Sequence, residues 1–152
     1  MEIAAGHPLD ADVLALLHEH LADMHATSPA ESVHALDPEA LTDPAISFFT
    51  ARDRGVLLGC GALFDHGDGS GEVKSMRTVI AARGRGIAAT LLDHLVAEAR
   101  RHGWHVLRLE TGTEDYFAAA RRLYERHGFT ERGPFADYRL DPHSAYYELQ
   151  LS

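Results

Sequence analysis

The densest chemical signal in the 152-residue chain lies at residues 83–89, Arg-Gly-Arg-Gly-Ile-Ala-Ala. A strand-like run, EVKSMRTV, ends shortly before it, and an amphipathic helical pattern follows. A junction of this kind suits an anion. The first N–H groups of a helix have no intrahelical acceptor, and the helix dipole favours negative charge there. Gly84 and Gly86 let the backbone approach phosphate oxygens without a Cβ in the way. Arg83 and Arg85 add positive charge, and Ile87, Ala88 and Ala89 supply the first helical N–H groups. A P-loop would need Gly-Lys-Ser/Thr where the chain has Gly86-Ile87-Ala88. The spacing Gly84-x-Gly86-x-x-Ala89 does fit a dinucleotide fingerprint, with Glu110 where a ribose-binding acid would stand. Against that reading, the preceding strands form a hairpin meander rather than a βαβ unit. The roughly 40 residues after Glu110 are also too few for a second nucleotide-binding half.

Other residue types narrow the chemistry further. Eleven histidines are present, but His18-Glu19-His20 lacks the three- or four-residue spacing that puts two ligands on one helical face, so no metal site is expected. His7, His66, His102 and His127 read as surface residues. The single cysteine, Cys60, cannot form an internal disulfide and reads as a small buried residue in a strand. A formal net charge of −9 argues against a nucleic-acid partner. No apolar run is long enough to span a membrane, and the acidic N-terminus does not resemble a secretory signal. A cytoplasmic location is the expectation.

The elements that must position these residues follow from periodicity. Residues 10–26 read as a helix, with Asp10 as N-cap and Val13, Leu14, Leu17, Leu21 and Met24 on one face. HATSPAESVHAL reads as a loop, and Asp37-Pro38-Glu39 opens a short second helix that Pro44 ends. AISFFTA and VLLGCGALF flank a tight turn at Asp53-Arg54-Gly55 and form a hairpin, with EVKSMRTV as the next strand. A helix runs from about Gly86 to His102 and stops at Gly103. WHVLRLE is a strand, EDYFAAARRLYERH a helix stopped by Gly128, and FTERG and AYYELQL are the last strands. A short strand is also expected at Glu2–Ala5. The whole chain, 1–152, reads as one α/β domain: a mostly antiparallel sheet of six to seven strands with about four helices.

The pattern Arg83-x-x-Gly86-x-Ala88 between a strand and a long central helix resembles the pyrophosphate arm of the GCN5-related N-acetyltransferase (GNAT) superfamily. LYERHGF, Leu123 to Phe129, looks like that family's second signature. GEVKSMRT, LETGTEDYFAAARRLYERHGF and GPFADYRLDPHS together resemble a subgroup of small bacterial GNAT proteins. The resemblance covers nearly the whole chain. It implies a GNAT-like fold with two splayed central strands, acetyl-CoA as co-substrate, and transfer of its acetyl group to an amine in a ternary complex. The arm, Arg83 to Ala89, would take the pyrophosphate. Backbone N–H groups near Met76, Arg77 and Thr78 would meet the pantetheine and the thioester. One departure stands out: many relatives carry an asparagine near the start of the fourth helix, where this chain has Phe117.

Acetyl transfer to an amine needs a neutral nucleophile. An alkylamine is almost wholly protonated near neutral pH, and removing that proton costs about 4 kcal/mol. The tetrahedral oxyanion needs a donor, worth roughly 2.7–4 kcal/mol. Tyr124 matches the family's frequent tyrosine and is the candidate acid toward the coenzyme A sulfur. Glu72, opening the cofactor strand, is the candidate base, with Glu110 as its rival. Lys74, two residues from Glu72, would keep it ionised and weaken it as a base. The loop between the first two helices, with His25, Glu31 and His34, and the C-terminal stretch FADYRLDPHS, with Asp137, Tyr138 and Asp141, would form the acceptor pocket. The expected partners are acetyl-CoA and a small amine, with no nucleic acid and no membrane, in a monomer or homodimer. The reading from a different class is a non-catalytic acyl-CoA-binding sensor or regulator.

Overall fold

The computed structural model describes residues 1–151. In chain order it forms β1 (Glu2–Ala5), α1 (Ala11–Thr27), β2 (Ile46–Asp53), β3 (Val56–Asp65), β4 (Ser70–Thr78), α2 (Ile87–Arg101), β5 (Val106–Gly112), α3 (Ala118–Arg126), β6 (Thr130–Arg132) and β7 (Ser144–Gln150). The seven strands make one sheet in the order β1-β2-β3-β4-β5-β7-β6. Every neighbouring pair is antiparallel except β4 and β5.

Local chemistry explains most of these elements. Arg54 and Gly55 both have positive φ, 51° and 81°, the requirement of the two-residue turn whose twist matches a hairpin. Period-2 alternation sends adjacent side chains of β2 to opposite faces. Phe48 packs with Val13, Leu16 and Leu17 of α1, whereas Phe49 packs with Leu92, Leu95 and Val96 of α2. Leu91, Leu92 and Leu95 of α2 are fully buried, and each such side chain stabilises the fold by about 1.5–3 kcal/mol. Gly103 and Gly128, at φ 79° and 90°, end the helices before them in the left-handed conformation that a glycine adopts without strain.

Two helices and the chemistry of one cap differ from expectation. The short helix expected at residues 37–44 is only a 3-10 turn, Ala40–Thr42: a single i→i+4 bond, Leu41 N–H to the Asp37 carbonyl, opens it, and Pro44 forces Asp43 before it into an extended conformation that ends it. The helix expected from Glu114 begins instead at Ala118, after a 3-10 turn over Asp115–Phe117. There the Arg121 guanidinium donates to the carbonyls of Gly112 and Glu114, at 2.7 and 3.0 Å. The fold therefore has three α-helices rather than four. At the N-terminus, the Asp10 side chain makes no capping bond, although its carbonyl accepts the Leu14 N–H at 2.7 Å and starts α1.

The feature that positions the site is the parting of β4 from β5. They pair at only three positions, Ser70↔Val106, Gly71↔Leu107 and Glu72↔Arg108. Beyond these, β4 runs on to Thr78 and β5 to Gly112 without pairing. The cause lies in β4. Its register with β3 slips between Cys60↔Arg77 and Ala62↔Lys74, so Ser75 and Met76 both stand opposite Gly61. Ser75 takes a φ of 54° at this bulge, and a bulged strand bends away from its neighbour. Gly61 accommodates it, since a Cβ there would sit 2.7 Å from the Met76 sulfur.

Candidate active site

The parted strands open into a cleft of about 610 Å³. Arg83, Gly84 and residues 86–89 line it where β4 hands over to α2, Met76 to Thr78 and Glu110 to Gly112 line its walls, and Glu72, Lys74 and Tyr138 lie toward the vertex.

The arm has the form the sequence suggests. Gly84 and Gly86 adopt φ of 79° and 75°, and no protein atom lies within 4 Å of where a Cβ would be at either. The glycines are thus required by backbone conformation, and the space beside them is open. The first bond into α2 is Thr90 N–H to the Gly86 carbonyl, at 3.1 Å. Among the described residues, the backbone N–H groups from Gly84 to Ala89 donate to no protein acceptor. A row of free donors at the start of a 15-residue helix is an anion cradle. Arg83 lines the cleft, whereas Arg85 is exposed and does not.

On the β4 wall, the Val79 N–H donates to the Leu58 carbonyl of β3 at 2.8 Å. Alternation therefore turns the N–H of Thr78 toward the open side. Arg77 contributes backbone to this wall, but its side chain is committed elsewhere. The buried guanidinium pairs with Glu19 at 2.5 Å and Asp23 at 2.6 Å on α1, and donates to the Tyr116 hydroxyl at 3.1 Å. It pins α1 to β4 and holds the Asp23 carboxyl below its usual range. His20, beside it, is pushed down to about 4 by burial and by the Arg77 charge.

The carboxylates differ in their environments. Glu72 is 2% exposed rather than a free strand end. It accepts the Tyr138 hydroxyl at 2.5 Å, pairs with Lys74 at 3.0 Å, and lies 3.0 Å from His66 Nε2. Lys74 thus holds Glu72 as its spacing suggested. His66 is a half-buried partner of Glu72 rather than a surface residue. Glu110 lies on β5, two residues past the last position paired to β4, and lines the cleft. Burial raises its carboxyl to about 7.

Tyr124 on α3 packs its ring against Phe129 and Tyr147 in the core, and also lines the cleft. Its hydroxyl has no hydrogen-bond partner among the described residues. Burial first, and then the charge of Glu110, push its phenol well above the ordinary range. Leu109 shares the α2–α3 core with Tyr124. By alternation, Glu110 therefore faces the α1 side of the sheet. The carboxyl and the phenol address the gap from opposite faces. Phe117 also lines the gap, with its ring so close to Gly112 that a Cβ there would lie 2.1 Å away.

The loop after α1 and the stretch before β7 do come together. Ser32 donates to Asp141 at 2.6 Å, and the His34 ring meets Tyr138 edge-on at 5.0 Å. They enclose a second cavity of about 720 Å³ that includes Glu31, Asp137 and Tyr138 in its lining. The Ser32 hydroxyl and the His143 N–H hold the Asp141 carboxyl below its usual range. His25 is a correction: α1 continues to Thr27, so His25 is an exposed helical residue that lines neither cavity. The Arg77 cluster escaped sequence reading, although Glu19 and Asp23 stand one helical turn apart and mark an acidic face on α1. Cys60 is buried as expected, and burial pushes its thiol up to about 12. Among the described residues no group of three potential metal ligands converges, and no helix is long and apolar enough to cross a membrane.

Comparison with known proteins agrees with this geometry. The family model described as acetyltransferase (GNAT) family matches residues 13–129. The chain is 45% identical over 139 residues to the uncharacterized N-acetyltransferase YedL of Escherichia coli, covering 91% of this chain and 87% of the relative. It is 42% identical over 153 residues to a protein of Azospirillum brasilense named IAA acetyltransferase, covering 98% of this chain and 97% of that one. A solved Klebsiella pneumoniae chain assigned to the acyl-CoA N-acyltransferases is 32% identical and superposes with a TM-score of 0.81, covering 99% of this chain and 97% of that one. With the glycine arm of free N–H groups, the bulged β4 and the parted strands all in place, the chain belongs to the GNAT acetyltransferase family.

Proposed function

We propose that the chain transfers the acetyl group of acetyl-CoA to the primary amine of a small molecule by direct attack in a ternary complex. Acetyl transfer from acetyl-CoA is the family's reaction; the amine acceptor and the residue roles are our reading. The observation that carries it is the gap between β4 and β5, with a row of free N–H donors at one end and Glu110 and Tyr124 on its two sides.

In this reading the pyrophosphate lies on the N–H groups of Gly84 to Ala89 beside Arg83. The pantetheine follows the open edge of β4 near Met76 to Thr78, and an N–H of that edge receives the developing oxyanion. Glu110 takes the proton of the bound ammonium. A carboxylate at about 7 rather than 4.5 is the stronger base and is partly ionised near neutral pH. The amine lone pair then attacks the thioester carbon to give a tetrahedral intermediate, and its collapse breaks the carbon–sulfur bond. Tyr124 passes its proton to the leaving thiolate, and the second proton shed by the amine nitrogen returns through solvent to the tyrosinate. Glu72 is saturated by Tyr138, Lys74 and His66. It is better placed to hold Tyr138 and Lys74 than to take a proton.

Initial-rate kinetics test the proposal by following free thiol while acetyl-CoA and an amine are varied together. Intersecting double-reciprocal lines are expected. Parallel lines would reveal an acetyl-enzyme intermediate and overturn direct transfer, and thiol release only with hydroxyl compounds would overturn the amine.

A further inference from the structure

Ser32, His34, Glu72, Lys74, Tyr138 and His143 line both cavities, so the second cavity joins the cleft beside Glu72 and Lys74. At about 720 Å³ it lies within the roughly 300–1,000 Å³ typical of small-molecule sites. Apart from the exposed Glu31, Asp137 and Arg139, its unpartnered lining is apolar. Leu36, Phe64, Leu140 and Pro142 contribute, together with the rings of His34 and Tyr138. Leu140 is 88% exposed. A lone exposed leucine is ordinary, but one on the lining of a ring-walled cavity is surface that an apolar body would cover.

The buried charges of this cavity are already matched. Glu72 is held by Tyr138, Lys74 and His66, and Asp141 by the Ser32 hydroxyl and the His143 N–H. Glu31 and Asp137 accept no hydrogen bond and the Arg139 guanidinium donates none among the described residues, but all three are exposed, where solvent screens them. A substrate bringing a second ammonium into the cavity would find no free buried carboxylate and would meet Lys74. Burying an unmatched charge is strongly unfavourable.

We infer that the acceptor is a small primary amine whose remaining body is apolar and of about ring size, with no second cation. The inference rests on the amine reading above and adds the class of amine. The second cavity takes the apolar body, and the amine enters the cleft toward Glu110.

The test compares n-hexylamine, 1,6-diaminohexane and 2-phenylethylamine as acceptors at saturating acetyl-CoA. The first two have equal length and differ by one terminal charge. The kcat/KM of hexylamine should exceed that of the diamine at least roughly tenfold, with 2-phenylethylamine as good or better. Leu140→Asp, a change at an exposed position that leaves folding intact, should raise the KM for 2-phenylethylamine roughly tenfold without moving the KM for acetyl-CoA. A diamine used as well as hexylamine would overturn the apolar-body inference and leave amine transfer standing. An unchanged KM in Leu140→Asp would overturn the placement in the second cavity. Turnover of hydroxyl compounds alone would overturn both the inference and the reading it rests on.

Discussion

Glu110→Gln should make the protein more stable and nearly inactive at once. Burial lifts the Glu110 carboxyl to about 7 from 4.5, which corresponds to at most about 3 kcal/mol of disfavoured charge in the folded state. The folded value lies above the unfolded one, so the native state keeps its proton to higher pH. Stability contributed at this site is therefore greatest below about 4.5 and is lost as pH rises toward 7. Glutamine carries no charge at any pH and escapes that loss. The variant should gain up to about 3 kcal/mol at pH 8 and less than about 1 kcal/mol at pH 5. For a chain of this size each kcal/mol moves Tm by about 2–4 °C, so paired thermal melts at the two pH values will resolve the difference. In the wild type, kcat/KM should rise with pH through an inflection near 7. The variant should lose that limb along with roughly 10²–10⁴-fold in rate. An equal Tm gain at both pH values would show that Glu110 is not held protonated by burial. A surviving activity limb near pH 7 would show that the base is another group.

Tyr124→Phe should bind acetyl-CoA normally, melt within about 1 °C of the wild type because no hydrogen bond to a partner is lost, and turn over roughly 10²–10⁴-fold more slowly. Thiol release within about threefold of wild type would make Tyr124 a packing residue. Gly86→Asp should abolish the rise in Tm that acetyl-CoA produces by binding the folded state. Gly103→Asp, at a second open glycine with the same backbone strain, should lose similar stability yet keep the acetyl-CoA response. Equal responses in the two variants would remove the arm from the cofactor site.

Much of this protein was legible in the order of its residues because the governing interactions are local. The free N–H groups of the arm follow from a helix start preceded by two glycines, and Gly84 and Gly86 do take positive φ. The long helices, the Arg54-Gly55 hairpin and the glycine stops at Gly103 and Gly128 are likewise set by neighbours in sequence, which periodicity and turn chemistry report. The GNAT resemblance extended this reading to the splayed strands.

Environment across the fold was not legible. Glu72 and Glu110 are the same residue type on adjacent strands, and no local pattern separates them. Contacts from the distant Tyr138, and from His66 across the β3–β4 connection, keep one saturated, while burial leaves the other near 7. His25 and His34 look alike as loop histidines, yet His25 stays within α1 on its solvent face, and packing on Tyr138 draws His34 into the pocket. The parting of β4 from β5 depends on a one-residue register slip against β3, and register is a property of two strands together. Helix starts, turns and faces belong to short windows of sequence. Burial, pairing and register belong to segments that only the folded chain brings side by side.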